Sequence, residues 1–276
     1  MSIARSTYYY QLKNRPKIVE RERRDTEVKN LIDSVHVEFP YYGYRMLHEE
    51  LGRRGILMNE KKIRRIQRKF GLFAYRIRRF IRTTDSKHPL PVYRNLLDMA
   101  SITDLDEAWV ADITYVRIHT GFIFVAVVMD VCSRKIIGWA ISRRIDRELT
   151  IGALKMALET RKPLPGCIHH SDRGVQYAAR DYVALLEEWG LRPSMSRKGN
   201  PYDNAAMESF MKTLKYNEVY LNHYETFADV VNRVPEFIEE VYNKKRLHSA
   251  LGYVPPEEFE RNINQRMTET NLNSVP

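Results

Sequence analysis

The sequence predicts an α/β protein preceded by a separate α-helical segment. Residues 108–142 are rich in β-branched and aromatic residues and predict three consecutive strands. Beyond them, helical patterns alternate with short apolar runs. Charge divides the chain in the same way. Residues 1–82 hold 21 Lys and Arg against 9 Asp and Glu, a net charge of +12, whereas the whole chain has a net charge of +10. The amino-terminal segment and the remaining body therefore differ in both pattern and charge.

The basic segment, residues 1–82, predicts three helices at about 25–37, 45–53 and 59–70. The third has Asn59 as its N-cap and Gly71 as its stop, with an inward apolar stripe. Five cations are left largely on its outer face: Lys61, Lys62, Arg64, Arg65 and Arg68. A solvated basic surface is the simpler interpretation, but the charge asymmetry favours a helix that enters a DNA groove.

The body follows a recognisable order of elements. The pattern predicts strands near 108–118, 121–130 and 135–142, a helix at 147–161, a strand at 167–171, a helix at 179–189, a strand at 191–195, a helix that contains Glu208, and a helix at 226–245. Three antiparallel strands followed by alternating helices and strands are typical of a ribonuclease H-like fold with the first strand central. We expect a linker at 83–106, a catalytic body at 107–261 and a mobile polar tail at 262–276.

Three carboxylates lie in settings that suit metal-dependent chemistry. Asp112 interrupts an apolar, β-branched strand, where an unpartnered carboxylate is costly. Asp172 follows a short strand and enters a glycine turn, so its side chain should emerge at the carboxyl end of that strand, where α/β sheets bind ligands. Glu208 should lie about two turns into a helix that begins near Asn200 and Pro201. Thirty-five residues separate Asp172 from Glu208.

Converging carboxylates repel one another, so they remain ionised together only when cations neutralise them. Hard oxygen ligands select Mg²⁺ or Mn²⁺. Two such ions about 4 Å apart can activate an oxygen on one side of a phosphodiester and stabilise the leaving oxygen on the other. The pattern therefore predicts phosphoryl transfer with two bound ions.

Neighbours of the carboxylates are secondary candidates. Asn204, Lys212 and Lys215 are spaced at −4, +4 and +7 from Glu208, which predicts one shared helix face suited to metal and phosphate. His170 shares a strand face with Asp172, although a turn-fixing hydrogen bond is the simpler interpretation than a substrate or metal contact.

Three further features bear on the candidate site and on the class of protein. Asp130 ends an apolar run and is a rival carboxylate, but its neighbours predict a turn. Cys132 and Cys167 form no CxxC pair, so neither a zinc site nor a disulfide framework is supported. No run is apolar enough to span a membrane, and residues 1–24 do not form a signal peptide, so we expect a cytoplasmic, nucleoid-associated protein.

Several blocks match one known family in order and spacing. They are residues 109–115; 130–134 with Gly138 and Trp139; 170–174 with Gln176 and Tyr177; 199–215; and Tyr242, Asn243, Arg246, His248, Pro255 and Pro256. On these blocks the chain resembles the transposases of bacterial insertion sequences that have a retroviral-integrase-like catalytic core, specifically the OrfB type of the insertion-sequence-three family. The three blocks that contain Asp112, Asp172 and Glu208 occur in the correct order, and together they are far more specific than any one of them.

This resemblance implies a DDE transposase with a ribonuclease H-like integrase core, preceded by a helix-turn-helix segment that residues 42–45 match. Asp112, Asp172 and Glu208 take the family's aspartate, aspartate and glutamate roles, and Lys215 matches its basic residue seven places after the glutamate. The implied reaction cleaves the ends of a mobile element and joins the 3′-hydroxyl to another phosphodiester, with Mg²⁺ or Mn²⁺. We favour a structural role for the matching residues near the carboxyl end.

The implied partners are the terminal inverted repeats of the element, the target DNA and further copies of the chain. Residues 1–10 resemble the entry to OrfB alone, so end recognition is expected to need the product of an upstream reading frame, OrfA. Two alternatives remain open: a ribonuclease H-like nuclease that only hydrolyses, and a catalytically silent DNA-binding regulator. Lys215 and the basic segment favour strand transfer over hydrolysis alone.

Overall fold

The computed structural model describes residues 5–74, 91–197 and 204–273. The chain divides into two compact units, Met1–Ile77 and Arg78–Pro276. This division falls close to residue 82, where the charge pattern predicted the end of the basic segment. The expected linker at 83–106 lies partly outside the described residues, and its described part contains one short 3₁₀ turn at Leu97–Met99.

The first unit contains three helices, as predicted: α1 at Arg5–Glu38, α2 at Tyr44–Arg53 and α3 at Glu60–Phe70. Asn59 caps α3 by accepting a hydrogen bond from the backbone N–H of Lys61 at 2.8 Å, and Gly71 ends it with φ of 70°. Helix α1 begins far earlier than expected, because residues 5–24 have no apolar stripe. Ion pairs one turn apart, such as Arg24 with Glu20, support this polar helix instead.

The second unit is built on a five-stranded mixed sheet. Its strands are β1 at Ala108–Ile118, β2 at Gly121–Asp130, β3 at Ile136–Ser142, β4 at Ile168–Ser171 and β5 at Arg192–Met195. Its helices are α4 at Arg147–Arg161, α5 at Arg180–Glu188, α6 at Ala205–Leu214, α7 at Phe227–Glu236 and α8 at Pro256–Asn273. The strand order is β3-β2-β1-β4-β5, so β1 is central, as predicted. It pairs antiparallel with β2 and parallel with β4.

Helices cover both faces of the sheet, which explains why its strands are apolar on both sides. One face packs against α6 and α7, in a cluster that includes Val125, Phe210 and Val230. The other packs against α4 and α5, in a cluster that includes Ala126 and Leu154. The central strand therefore lies between two apolar layers.

Gly138 on β3 allows α4 to approach the sheet closely. A Cβ atom at this position would lie 2.2 Å from the carbonyl oxygen of Ala153 and 2.9 Å from the Cβ of Ala157. We expect Gly138→Ala to lower the free energy of unfolding by about 1–3 kcal/mol or more, because α4 must move away. Gly52→Ala in α2 is the matched control, since nothing lies within 4 Å of the Cβ atom that alanine would add there and alanine favours helix. Equal denaturant midpoints for the two variants would contradict this close packing.

Three of the carboxyl-terminal residues matched by the family, Tyr242, Asn243 and His248, make packing or hydrogen-bonding contacts within the second unit. The chain after α7 continues as a π-helical stretch, Phe237–Asn243. Asn243 extends the sheet, because its Oδ1 accepts from the backbone N–H of Ile136 at 3.0 Å and its Nδ2 donates to the carbonyl of the same residue at 2.9 Å. Tyr242 packs edge-on against Phe210 and against His248. These contacts fasten the end of the chain to β3 and α6.

The predicted mobile tail, residues 262–276, is helical as far as Asn273, because α8 runs from Pro256 to Asn273; its mobility stays a prediction. The start of α8 is anchored, since Glu260 accepts a hydrogen bond from Ser133 at 2.7 Å and forms ion pairs with Lys135 and Arg161. Once a helix is nucleated, each further residue adds a hydrogen bond without needing an apolar stripe. Within the described ranges, no helix is long and apolar enough to cross a membrane.

Candidate active site

The parallel pairing of β1 with β4 places two of the predicted carboxylates side by side. Ala111 is in register with Ser171, so Asp112 and Asp172 are the next residues on adjacent strands. Both are half-buried. The backbone N–H of Gly174 donates to Oδ1 of Asp172 at 2.8 Å, and a Cβ at Gly174 would lie only 2.9 Å from that oxygen. The glycine turn predicted from the sequence therefore fixes the Asp172 carboxylate.

Asp112 and Asp172 open into a cleft with a volume of about 430 Å³. Its walls combine aromatic and polar residues, including Tyr115, Gln176 and Tyr177. Such a cleft at the carboxyl end of a strand is where α/β proteins bind their ligands. The structure therefore gives the two aspartates both mutual proximity and access to a ligand.

Glu208 and Lys215 act on Asp112 through their charges. Burial raises the pKa of Asp112 to about 7, with the negative charges of Asp172 and Glu208 acting in the same direction and the ammonium of Lys215 opposing them. The Nζ of Lys215 lies 4.4 Å from the centre of the Tyr115 ring. Burial lowers the pKa of Lys215, and Asp112 partly offsets that effect. All four charged groups thus belong to one electrostatic site.

The donor set at the cleft fits a divalent cation. Its carboxylates supply hard oxygen ligands, and the raised pKa of Asp112 reflects burial and repulsion that a bound cation would counter. Within the described residues, no three His, Cys, Asp or Glu side chains converge closely enough to hold one ion together. Asp112 and Asp172 line the cleft, whereas Glu208 is not among its lining residues and is linked to Asp112 through its charge.

The predicted face of the Glu208 helix is divided in the structure. Helix α6 begins at Ala205, with Asn204 buried at its N-cap position and forming no side-chain cap. The expected cap at Asn200 and Pro201 lies outside the described residues. Lys212 is exposed, whereas Lys215 is half-buried and begins the π-helical turn Lys215–Val219. Of the two lysines, Lys215 is the one turned toward β1.

His170 and Asp130 have hydrogen-bonding partners away from the cleft. His170 is fully buried, and its two ring nitrogens lie 2.8 Å and 3.0 Å from the hydroxyls of Ser194 and Ser196, which ties β4 to the β5 side of the sheet. Asp130 accepts from the backbone N–H groups of Ser133 and Asp106 at 2.7 Å and 2.8 Å. Asp130 therefore fixes the turn that its neighbours predicted, whereas His170 joins two strands and forms no bond to the turn that the simpler interpretation assigned to it.

In the first unit, α3 presents most of its predicted basic face outward. The exposed members are Lys61, Lys62, Arg64 and Arg68. Arg65 departs from the prediction, because its guanidinium forms two hydrogen bonds, at 2.8 Å and 2.5 Å, to the carboxylate of Asp25 on α1. Asp25 is only 2% exposed and also pairs with Lys69 at 2.9 Å. A buried carboxylate requires such partners, so Arg65 fastens α3 to α1.

This difference between Arg65 and Arg68 can be measured. We expect Arg68→Ala to weaken DNA binding and reduce the salt dependence of affinity by about one phosphate contact. Arg65→Ala should instead lower the free energy of unfolding by about 1–3 kcal/mol, because Asp25 loses its bidentate partner. Salt titrations of DNA affinity and thermal melts of both variants separate the two effects. A reduced salt slope with an unchanged Tm in Arg65→Ala would assign that residue to DNA instead.

Sequence reasoning did not assign a role to Tyr177 or Asp25. Tyr177 was matched only as part of a family block, although its position five residues after Asp172 is a usable signal, since a short turn keeps it near the same strand end. Asp25 gave no signal, because its partner Arg65 is 40 residues away. Nothing local distinguishes Asp25 from the solvated acids of the same helix.

Comparison with known proteins agrees with this architecture. Two integrase core domain families match residues 105–201 and 189–256, and an HTH-like domain family matches residues 22–80. Among solved structures, the catalytic core domain of BIV integrase aligns at 17% identity over 59% of this chain and 99% of its own, with a TM-score of 0.45. On the family matches, the second unit is an integrase core of ribonuclease H-like fold.

Relatives of similar length cover nearly the whole chain. The uncharacterized 31 kDa protein of insertion element IS600 from Shigella sonnei is 39% identical over 95% of this chain and 97% of its own. The transposase for IS904 from Lactococcus lactis is 36% identical over 88% of this chain and 95% of its own length. Transposase InsF for IS3A from Escherichia coli is also 36% identical, over 94% of this chain and 91% of its own length.

An integrase core joined to an HTH-like domain defines an enzyme of the polynucleotidyl transferase class that acts on DNA. The relatives narrow this class of enzyme. The chain belongs to the bacterial insertion-sequence transposases, and within them to the OrfB type of the insertion-sequence-three family. The integrase core of this family depends on divalent metal ions.

Proposed function

We propose that this transposase cleaves the ends of its mobile element and joins the freed 3′-hydroxyl to target DNA at one site formed by Asp112, Asp172 and Glu208. The observation that carries the proposal is the parallel pairing of β1 with β4, which puts both aspartates at one cleft. Glu208 lies near enough to raise the pKa of Asp112 through its charge. Hydrolysis and strand transfer would use the same carboxylates.

In this proposal the three carboxylates hold two Mg²⁺ or Mn²⁺ ions. Bound there, such ions would supply activation of the attacking oxygen and stabilisation of the leaving oxygen of a phosphodiester. The protein's own part is to orient the donors: Gly174 holds Asp172 in its turn, and β1 holds Asp112 between two packed layers. Lys215 supplies a positive charge next to them, suited to a phosphate of the bound strand.

The HTH-like unit would contribute phosphate contacts through Lys61, Lys62, Arg64 and Arg68. Arg64 is also fixed by Tyr44, whose ring centre lies 4.9 Å from its guanidinium carbon. A cation held in place loses less entropy on binding a phosphate. The terminal inverted repeats would be recognised by this unit, with Arg65 and Asp25 setting the position of α3.

We also propose that the active form is a homo-oligomer assembled on DNA at the nucleoid, with the product of an upstream reading frame contributing to end recognition. Transposition joins two element ends to one target, which requires more sites than one chain offers. The predicted basic face of α3 keeps four of its five cations exposed, and so few phosphate contacts support a need for additional ones.

The proposal is tested by selecting bound sequences from random DNA and then assaying the selected duplex with Mg²⁺. We expect specific nicking at a fixed position, followed by joining of the new 3′-end to a second duplex. Nicking without any joining would favour a ribonuclease H-like nuclease. Specific binding without nicking in Mg²⁺ or Mn²⁺ would favour a silent regulator. Assays with and without the upstream product determine its contribution.

A further inference from the structure

The hydroxyl of Tyr177 is a buried polar group without a hydrogen-bond partner among the described residues. Tyr177 is 3% exposed, and its Oη makes no hydrogen bond. Leaving a hydroxyl buried and unpaired costs free energy, and most buried hydroxyls find a partner. An unpaired donor at this depth therefore calls for an explanation.

The Tyr177 ring is fixed in place next to the cleft. Its backbone N–H donates to the carbonyl of Gly174 at 3.0 Å, and its ring packs edge-on against Tyr182 with centres 5.4 Å apart. Both Asp112 and Asp172 line the cleft together with Tyr177. A fixed ring allows the hydroxyl few directions, so it is paired only when another group at the cleft comes within hydrogen-bonding reach.

Asp172 and Tyr177 lie on either side of one glycine, Gly174. Any Cβ placed on Gly174 would lie 2.9 Å from Oδ1 of Asp172 and 3.5 Å from Cδ2 of Tyr177, so the carboxylate and the ring flank the same glycine. Burial raises the pKa of Tyr177 well above its usual value, and the charges of Asp112 and Asp172 raise it further. The hydroxyl therefore remains protonated and able to donate.

Tyr182 provides an internal comparison. It is also buried, but its hydroxyl has a partner at 3.0 Å, the Nε2 of His169. The two tyrosines pack against each other and differ in whether the hydroxyl is satisfied. This difference indicates that the Tyr177 hydroxyl forms its hydrogen bond only when the site holds a ligand. The Tyr182 hydroxyl already forms its hydrogen bond in the folded protein.

We propose that Tyr177 is a positioning residue whose hydroxyl donates a hydrogen bond to the carboxylate of Asp172 when that carboxylate holds a divalent cation. This inference rests on the proposed role of Asp172 as a metal ligand. A ligand carboxylate that also accepts a hydrogen bond is held in one orientation, and loss of such an outer partner weakens metal affinity by about 10–100-fold. Tyr177 acts through Asp172 and does not touch the reacting phosphate.

The test measures Mn²⁺ binding to the full chain by calorimetry, without DNA, alongside thermal melts of the metal-free protein. For Tyr177→Phe we expect Mn²⁺ affinity to fall by about 10-fold or more, while the metal-free Tm stays the same or rises because an unpaired hydroxyl has been removed. Tyr182→Phe is the matched control. It should lower the metal-free Tm, because His169 loses its partner, and leave Mn²⁺ affinity unchanged.

Asp172→Asn separates failure of this inference from failure of the proposed function. If Asp172→Asn abolishes Mn²⁺ binding and Tyr177→Phe binds Mn²⁺ like the wild type, then Tyr177 has no positioning role although the metal site stands. If Asp172→Asn itself binds Mn²⁺ normally, the assignment of Asp172 is wrong and the Tyr177 inference falls with it. A parallel rise in the Mn²⁺ concentration needed for half-maximal nicking by Tyr177→Phe would support the inference.

Discussion

Replacing Asp112 by Asn should reduce cleavage and strand transfer by roughly 10⁴-fold, as expected for a group that works as part of a catalytic unit. Asp172→Asn and Glu208→Gln should have effects of similar size, because each removes an anionic metal ligand with little change in shape. DNA binding should remain nearly intact, since the exposed cations of α3 lie in the first unit and Lys215 is left unchanged. Single-turnover nicking assays in Mg²⁺, run beside DNA-binding titrations, measure both effects.

The stability of the Asp112→Asn variant offers a second readout. Asp112 is partly desolvated, and the charges of Asp172 and Glu208 repel its own, so its charge opposes folding in the absence of metal. We expect the metal-free Tm of Asp112→Asn to equal or exceed that of the wild type, while the stabilisation gained from added Mn²⁺ is lost. A destabilised variant would show that the loss of activity comes from misfolding instead.

Asp130→Asn is the matched control for this series. Asp130 is a buried carboxylate of the same sheet, but its oxygens accept backbone N–H groups of Ser133 and Asp106. Its replacement should lower the Tm and leave Mg²⁺-dependent cleavage in place. Robust cleavage by Glu208→Gln, or a greater loss of cleavage in Asp130→Asn than in Asp112→Asn, would overturn the carboxylate assignment.

The pattern of apolar and turn residues predicted the strands of the sheet well, because the bounds of a strand depend on residues that are close together in the sequence. The bounds of β1 and β2 match the predicted 108–118 and 121–130, since apolar runs end where the turn residues begin. The proximity of Asp112 and Asp172 also followed from sequence. A central first strand with a parallel neighbour leaves few other places for the two residues.

Features that depend on distant partners or on altered helix geometry were not predictable in this way. Arg65 has the same local setting as Arg68, and only the fold brings Asp25 to it. Helix α8 has no apolar stripe and is anchored by Ser133, Lys135 and Arg161 far away in the chain. The orientation of Lys215 was only partly predictable, because a π-helical turn begins there and departs from the regular α-helical spacing.

Lys215→Glu should lower the rate of end cleavage by about 10²-fold or more, comparable with the loss of one preorganised charge contact in other active sites. Lys215 is half-buried with its Nζ 4.4 Å from the centre of the Tyr115 ring, and its charge reaches Asp112. A phosphate approaching Asp112 and Asp172 therefore meets this ammonium in a region of reduced dielectric. A glutamate there would repel the same phosphate.

One measurement and two control variants test whether Lys215 contacts phosphate or instead affects the metal site. Lys215→Glu removes no anionic donor, so Mn²⁺ affinity measured by calorimetry should not weaken. Lys212→Glu makes the same charge change on the preceding turn, where the side chain is exposed, and should lower cleavage far less. Lys215→Met, which keeps much of the packing over Tyr115 but lacks the charge, should fall between the wild type and Lys215→Glu. Wild-type cleavage and joining rates in Lys215→Glu would make Lys215 an ordinary partly buried lysine and remove it from the site.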